Sequence, residues 1–162
     1  MKDGSHCVLL VDDLESNRSH DAAAVFDRYR RALDTVLKED QKPKAAVHFL
    51  VNMLEAYYFG DAAAVNAVLG TNLEDFKGDV ETIRNPKSKL KTVCAAFDEK
   101  EHGPMIVREL NVLRILSRAD SCASLRTMFA WAAEATRSNL DIPNGRWFTV
   151  TEPQIHTLRK AR

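Results

Sequence analysis

Two short apolar runs stand near the start of the chain. Residues 7–11 read Cys-Val-Leu-Leu-Val, and residues 45–51 read Ala-Ala-Val-His-Phe-Leu-Val, with His48 as the one polar member. Continuous apolar runs of this length, rich in β-branched residues, are typical of strands buried in a parallel sheet. We therefore predict a strand at each run. Because two strands make a poor sheet, we expect a later strand or a partner to complete it.

The rest of the chain repeats apolar residues at helical spacing. Residues 24–37, 90–97, 106–116 and 121–135 each show one apolar face, which predicts amphipathic helices, with one helix or a broken pair over 106–116. The composition of residues 52–59 favours another helix, and Asp61 can cap the next one, through Leu69. Residues 70–85 are predicted to be loop, and residues 147–150 a small strand. The pattern predicts an α/β fold with a helix-rich C-terminal half, in one domain over residues 1–150, before a basic tail at 151–162.

Composition narrows the class of protein further. The 162 residues are 45% hydrophobic and 28% charged, which is ordinary for one globular domain. Lys plus Arg equals Asp plus Glu, at 23 each, so no net charge attracts nucleic acid or membrane. The three cysteines are odd in number and widely spaced, which indicates reduced thiols and a cytoplasmic location. No apolar run is long enough to cross a membrane, and Walker, GxGxxG, GxSxG and HExxH motifs are missing.

The first candidate site is an acidic cluster behind the first predicted strand. Asp12, Asp13 and Glu15 follow its apolar run, where open α/β sheets usually hold their ligands. Three carboxylates within four residues suit Mg²⁺ or Mn²⁺. In extended backbone, Asp13 and Glu15 point to one side and Asp12 to the other. The alternative is that all three are solvated turn residues.

A second group of candidates lies within and just after the second predicted strand: His48, Glu55, Tyr57, Tyr58 and Asp61. A histidine in an apolar strand is more often a core residue than a ligand. Glu55 stands among apolar neighbours, where a carboxylate needs a partner or a metal. A buried ion pair with an arginine is the simpler explanation. If the two strands are adjacent, however, Glu55 can approach Asp13 at their carboxyl ends.

Two basic segments are candidates for binding phosphate. Lys87 belongs to a lysine-rich helix start, and Lys100 precedes the Gly103-Pro104 pair where another helix is expected to begin. Lysine ammonium groups and helix N-termini both bind anions. A solvated helix face explains Lys87 equally well, and a plain loop is the preferred explanation for Lys100.

Several motifs occur together in this chain. They are Val8-Leu-Leu-Val-Asp-Asp-Leu-Glu15, Phe26-Asp-Arg-Tyr-Arg30, His48-Phe-Leu-Val-Asn-Met-Leu-Glu-Ala-Tyr-Tyr-Phe59, Asn85-Pro-Lys87 with Leu90, Lys100 with Gly103-Pro104, and Cys122-Ala-Ser-Leu125 before Trp131. Over residues 7–135 the chain thus resembles the Toprim-like proteins of domain-of-unknown-function family 4276. The resemblance implies a small, mostly parallel sheet flanked by helices, and a Mg²⁺ site built from a glutamate and an Asp-x-Asp motif. It also implies nuclease-type chemistry, and genes found beside ATPases among suspected phage-defence systems.

The chain departs from the Toprim pattern in two places. Asp12-Asp13-Leu-Glu15 replaces the Asp-x-Asp motif, and no residue before Cys7 matches the strand that carries the Toprim glutamate. A missing strand leaves an unpaired sheet edge, which proteins normally cover, so we expect a homodimer or a partner ATPase. The leading hypothesis is a Mg²⁺- or Mn²⁺-dependent phosphodiesterase, or a degenerate or truncated remnant of one. In this hypothesis Asp12, Asp13 and Glu15 bind the metal, Glu55 is a supporting carboxylate, and Lys87 and Lys100 contact the phosphate. The alternative is a non-catalytic interaction module.

Overall fold

A parallel pair of strands forms the sheet of this protein. A computed structural model describes residues 7–15 and 21–148. Strand β1 (Val8–Leu14) pairs in parallel with β2 (Ala45–Val51), from Val8 opposite Ala45 to Leu14 opposite Val51. Helix α1 (Ala22–Val36) connects them. The predicted α/β fold with a parallel sheet is confirmed.

Strand β1 runs further than predicted. Asp12 and Asp13 are paired with Phe49 and Leu50 of β2, so the expectation that they follow the strand is wrong. Backbone pairing extends the strand to Leu14 despite two polar side chains, because backbone hydrogen bonds do not depend on side-chain polarity. Only Glu15 lies beyond the strand.

The two faces of the sheet pack against different helices. On one face, Leu10 and Leu14 of β1 pack with Val47 and Phe49 of β2 against α1. On the other face, Leu50 joins a larger core. Helix α7 (Ala123–Thr136) contributes Leu125 to that core. Strand β2 is buried along most of its length, whereas Val8 and Val11 of β1 are each 40% exposed.

Within the described residues, every regular element after β2 is helical, as the sequence predicts. They are α2 (Leu54–Tyr58), α3 (Ala62–Leu69), a short 3₁₀ turn at Val80–Thr82, α4 (Pro86–Val93), α5 (His102–Glu109), α6 (Val112–Leu116) and α7. Another 3₁₀ turn, Lys42–Lys44, directly precedes β2. Residues 106–116 form the broken pair of the two predicted alternatives. The break occurs because Leu110 is extended and the Asn111 side chain caps α6 by accepting from Arg114 N.

Two local predictions need correction. Asp61 precedes α3 but does not cap it; the Asp75 carboxylate accepts from Ala62 N at 2.8 Å instead. Asp61 is only 3% exposed, and it accepts from Asn111 N at 2.8 Å. The predicted strand at 147–150 does not begin where expected, since residues 147–148 are irregular, and residues 149–150 and the predicted tail at 151–162 lie outside the described part.

Candidate functional site

Three charged side chains from separate segments meet at the carboxyl end of the strand pair. The Lys87 ammonium of α4 lies 3.6 Å from Glu55 Oε1 of α2. Asp13 Oδ1 at the end of β1 accepts a hydrogen bond of 3.1 Å from Leu54 N, next to Glu55 in the chain. The approach of Glu55 to Asp13 expected from adjacent strands is therefore present.

A fourth residue, which the sequence did not single out, completes the group. Glu99 lies in the turn before α5, and its Oε2 is 2.7 Å from the Lys87 ammonium. Lys87 is thus shared between the nearly buried Glu55 and the half-exposed Glu99. Nothing in the sequence marks Glu99, because it stands 12 positions from Lys87 in a run of alternating charges.

Burial disfavours the ionised form of the carboxyl groups of Asp13 and Glu55. Removal from water raises the pKa of Asp13, and the N–H of Leu54 and the Lys87 ammonium oppose this only in part. Burial also raises the pKa of Glu55, again against the pull of Lys87. The charge of Asp13 further raises the pKa of Glu55, whereas Asp12 and Glu15 further raise that of Asp13. Their charged forms therefore gain from an additional cation at this place.

Glu55 has one oxygen that the protein leaves unused. The residue is 8% exposed, and its Oε2 is fully buried with no hydrogen-bond partner among the described residues. Buried carboxylate oxygens are nearly always paired because an unpaired one is destabilising. An orphaned oxygen beside a second carboxyl group of raised pKa is characteristic of a ligand site.

Lys87 and Tyr58 complete the electrostatics of the group. The hydrogen bond to Glu99 and the charge of Glu55 raise the pKa of Lys87, so its ammonium stays charged. Burial and the nearby carboxylates raise the pKa of Tyr58. Its phenol therefore stays protonated at neutral pH.

A cleft of about 370 Å³ opens beside this group, lined by Glu15, Asn52, Met53, Asn85, Pro86, Lys87 and Ser88. Three of these residues, Asn52, Met53 and Asn85, have positive φ values of 59°, 81° and 51°. Non-glycine residues in this region are strained, and such strain collects at functional sites. This cleft is therefore a better candidate for ligand binding than the second cleft, which is described next.

A second cleft, of about 530 Å³, lies between α3 and α6. Two of its cations, Arg114 and Arg118, are engaged by the fold. Arg114 contacts Asp75 at 2.6 Å and Asp61 at 3.5 Å, and Arg118 donates to the carbonyl oxygens of Phe76 and Gly78. These two arginines hold the loop before α4 in place, so their charge is largely used within the fold.

The three carboxylates of the first candidate site divide between the two sides of β1 as extended backbone predicts, so they do not form one metal cluster. Asp12 points to the α1 face, where its Oδ2 accepts from Tyr29 at 2.7 Å, whereas Asp13 and Glu15 face the cleft side. Within residues 7–15 and 21–148, no three Asp, Glu, His or Cys side chains form a metal-holding group. Mg²⁺, however, usually binds through one or two carboxylates and completes its shell with water and substrate phosphate. Asp13 and Glu55, with its orphaned oxygen, fit that smaller requirement.

The remaining candidates lie elsewhere. His48 is buried in β2 with its ring 5.8 Å from that of Trp131, and burial lowers its pKa to about 4. This agrees with a core histidine. Tyr57 is buried behind the site and Asp61 between α3 and α6. Lys100 lies in the turn before α5, where its backbone N–H donates to Asp98.

Comparison with known proteins adds no relative: no protein family, curated protein or solved structure matches this chain. None of the helices in the described ranges is both long and apolar enough to cross a membrane. Fold and site together define an α/β protein with a carboxyl–lysine cleft at the carboxyl end of a parallel strand pair.

Proposed function

We propose that this chain is a Toprim-like phosphodiesterase that depends on Mg²⁺ or Mn²⁺ and cleaves nucleic acid. One observation carries the proposal: Asp13, Glu55 and Lys87 meet where parallel strands end, and Glu55 keeps a buried oxygen without a partner. Ligands of open α/β sheets bind at this end. Two acids and one cation are the groups that a metal-assisted phosphate site requires.

Each side chain has a distinct task in this proposal. Asp13 and Glu55 would hold the metal ion, which would supply positive charge to stabilise the negative charge of the phosphate. Lys87 reaches the cleft from the start of α4 and contacts a phosphate oxygen, exchanging Glu99 for the substrate. Because the pKa values of Asp13 and Glu55 are raised, both groups give up their protons more readily when a cation binds between them. Lys100 remains the second phosphate contact to test.

The experiment is hydrolysis of bis-p-nitrophenyl phosphate and of a labelled single-stranded oligonucleotide, with Mg²⁺ or Mn²⁺. We expect Asp13→Asn and Glu55→Gln to lower the rate at least a hundredfold, since each removes a metal-binding charge. Glu109→Gln is the matched control, because Glu109 is an exposed acid on α5. Activity that survives both site variants, or that needs no metal, would contradict the proposal.

A second candidate function is an interaction module, which the exposed side of β1 favours. Within the described residues β1 pairs only with β2, and Val8 and Val11 are each 40% exposed. Such an edge can accept a strand from a second copy or from a partner ATPase. Light scattering on the purified chain decides the homodimer: a dimer that Val11→Lys converts to monomer supports it, and a wild-type monomer rejects it.

A further inference from the structure

A buried polar cluster lies directly behind the proposed site. Glu81 Oε1, in the 3₁₀ turn Val80–Thr82, accepts from Tyr57 Oη at 2.9 Å, from Ser124 Oγ at 2.7 Å and from Ser124 N at 2.8 Å. Tyr57 Oη and Ser124 Oγ are 2.6 Å apart. The three residues are 9%, 1% and 1% exposed. They join α2, α7 and the 3₁₀ turn, which are far apart in sequence.

This cluster holds the last residues of β2. The backbone N–H of Val51, which points away from β1, donates to Tyr57 Oη at 3.1 Å and faces Ser124 Oγ at 3.4 Å. The next residue, Asn52, donates its side-chain N–H to the carbonyl oxygen of Glu81. On the other side, Asn52 N donates to Leu14 O at 3.0 Å. The end of β2 is therefore fixed from both sides.

The fixed residues lead into a strained turn. Asn52 and Met53 have φ values of 59° and 81°, and two consecutive non-glycine residues in this region persist only where their surroundings enforce them. The turn delivers Leu54 N to the Asp13 carboxylate and places Glu55 beside it. Releasing the turn would separate these two groups.

We infer that Glu81, Tyr57 and Ser124 are positioning residues, which hold the turn after β2 and thereby keep Asp13 and Glu55 close enough to share one cation. The shared cation rests on the proposed function, whereas the hydrogen bonds that hold the turn do not. Groups that orient metal ligands from behind typically change metal affinity 10–100-fold when they are removed. Tyr57 thus has a role different from the site role expected from the sequence.

The test compares Tyr57→Phe and Glu81→Gln with Asp75→Asn. Tyr57→Phe removes one hydroxyl and keeps the buried ring, so it serves if Glu81→Gln fails to fold. Asp75→Asn is the matched control, because Asp75 caps α3 and pairs with Arg114 away from the cleft. Two quantities are measured: Mg²⁺ affinity by titration calorimetry, and the pKa of Asp13 and Glu55 from their carboxyl ¹³C shifts.

We expect Tyr57→Phe and Glu81→Gln to weaken Mg²⁺ binding on the order of tenfold, and to move the pKa of Glu55 towards its ordinary value as water enters. Asp75→Asn should change neither. The inference is overturned if the cluster variants change both quantities no more than Asp75→Asn does. If the wild-type protein binds no Mg²⁺, the proposed function fails, and the carboxyl titration alone then decides the positioning role.

Discussion

Glu55 should make the protein less stable at neutral pH than an uncharged residue in its place. Its pKa is raised in the folded protein, chiefly by burial. The folded state therefore keeps a proton that the unfolded chain releases as the pH rises above about 4.5. Above that pH the free energy of unfolding falls until the folded-state pKa is passed. We predict that Glu55→Gln abolishes this loss.

The size of the effect follows from the environment of the side chain. An unpaired buried polar group costs about 1–3 kcal/mol and a charged one more, so the unpartnered Oε2 of Glu55 is more costly in the carboxylate than in a neutral carboxyl group or in the amide of glutamine. Lys87 offsets part of this cost, but it retains Glu99 at 2.7 Å when Glu55 is neutral. We expect Glu55→Gln to be more stable by about 1–2 kcal/mol at pH 8 and no different from wild type near pH 4.

Urea unfolding followed by circular dichroism, at pH 4 to 8, measures this difference. Between the two pKa values it should grow by at most about 1.4 kcal/mol per pH unit. Glu109→Gln, an exposed control, should show no pH-dependent difference. A variant equal to or less stable than wild type at pH 8 would show that Glu55 is satisfied in the folded protein, and the reasoning would be wrong.

Two further predictions test other parts of the structure. Lys87→Ala should raise the pKa of Asp13 and Glu55 further and weaken oligonucleotide binding in a filter assay, whereas Lys91→Ala, exposed on the same helix, should do neither. Burial lowers the pKa of His48 from 6.5 to about 4. The free energy of unfolding should therefore fall by up to about 3 kcal/mol as the pH drops from 6.5 to 4, because the unfolded chain gains a proton that the folded protein does not. His48→Phe should remove this acid sensitivity in urea unfolding, and an unchanged pH profile would refute a buried neutral histidine.

The parallel strands and the helices could be predicted because their signals are local. Apolar runs and helical spacing report burial directly, and they indicated β2 and α7 closely. The end of β1 could not be predicted, since Asp12 and Asp13 look like turn residues and join the strand only through pairing with β2. The cap of α3 was missed for a related reason: Asp75 reaches Ala62 from a loop whose path the sequence does not specify.

The candidate site was predictable in part. Asp13, Glu55 and Lys87 were each singled out, Glu55 as an acid among apolar neighbours, and the adjacency of the strands brought two of them together. Glu99 and Glu81 were not singled out, because each acts through a contact between distant segments. Asp12 was grouped with Asp13 by sequence proximity, although alternation along a strand sends their side chains to opposite faces.

Calorimetric titration of Mg²⁺ and Mn²⁺ into the wild-type protein and into Asp13→Ala tests the central claim most directly. The account predicts one metal ion per chain for the wild type, with proton release because the carboxyl groups must ionise, and loss of that binding in the variant. No binding at millimolar metal, or equal binding by both proteins, would contradict a metal site at the carboxyl end of β1.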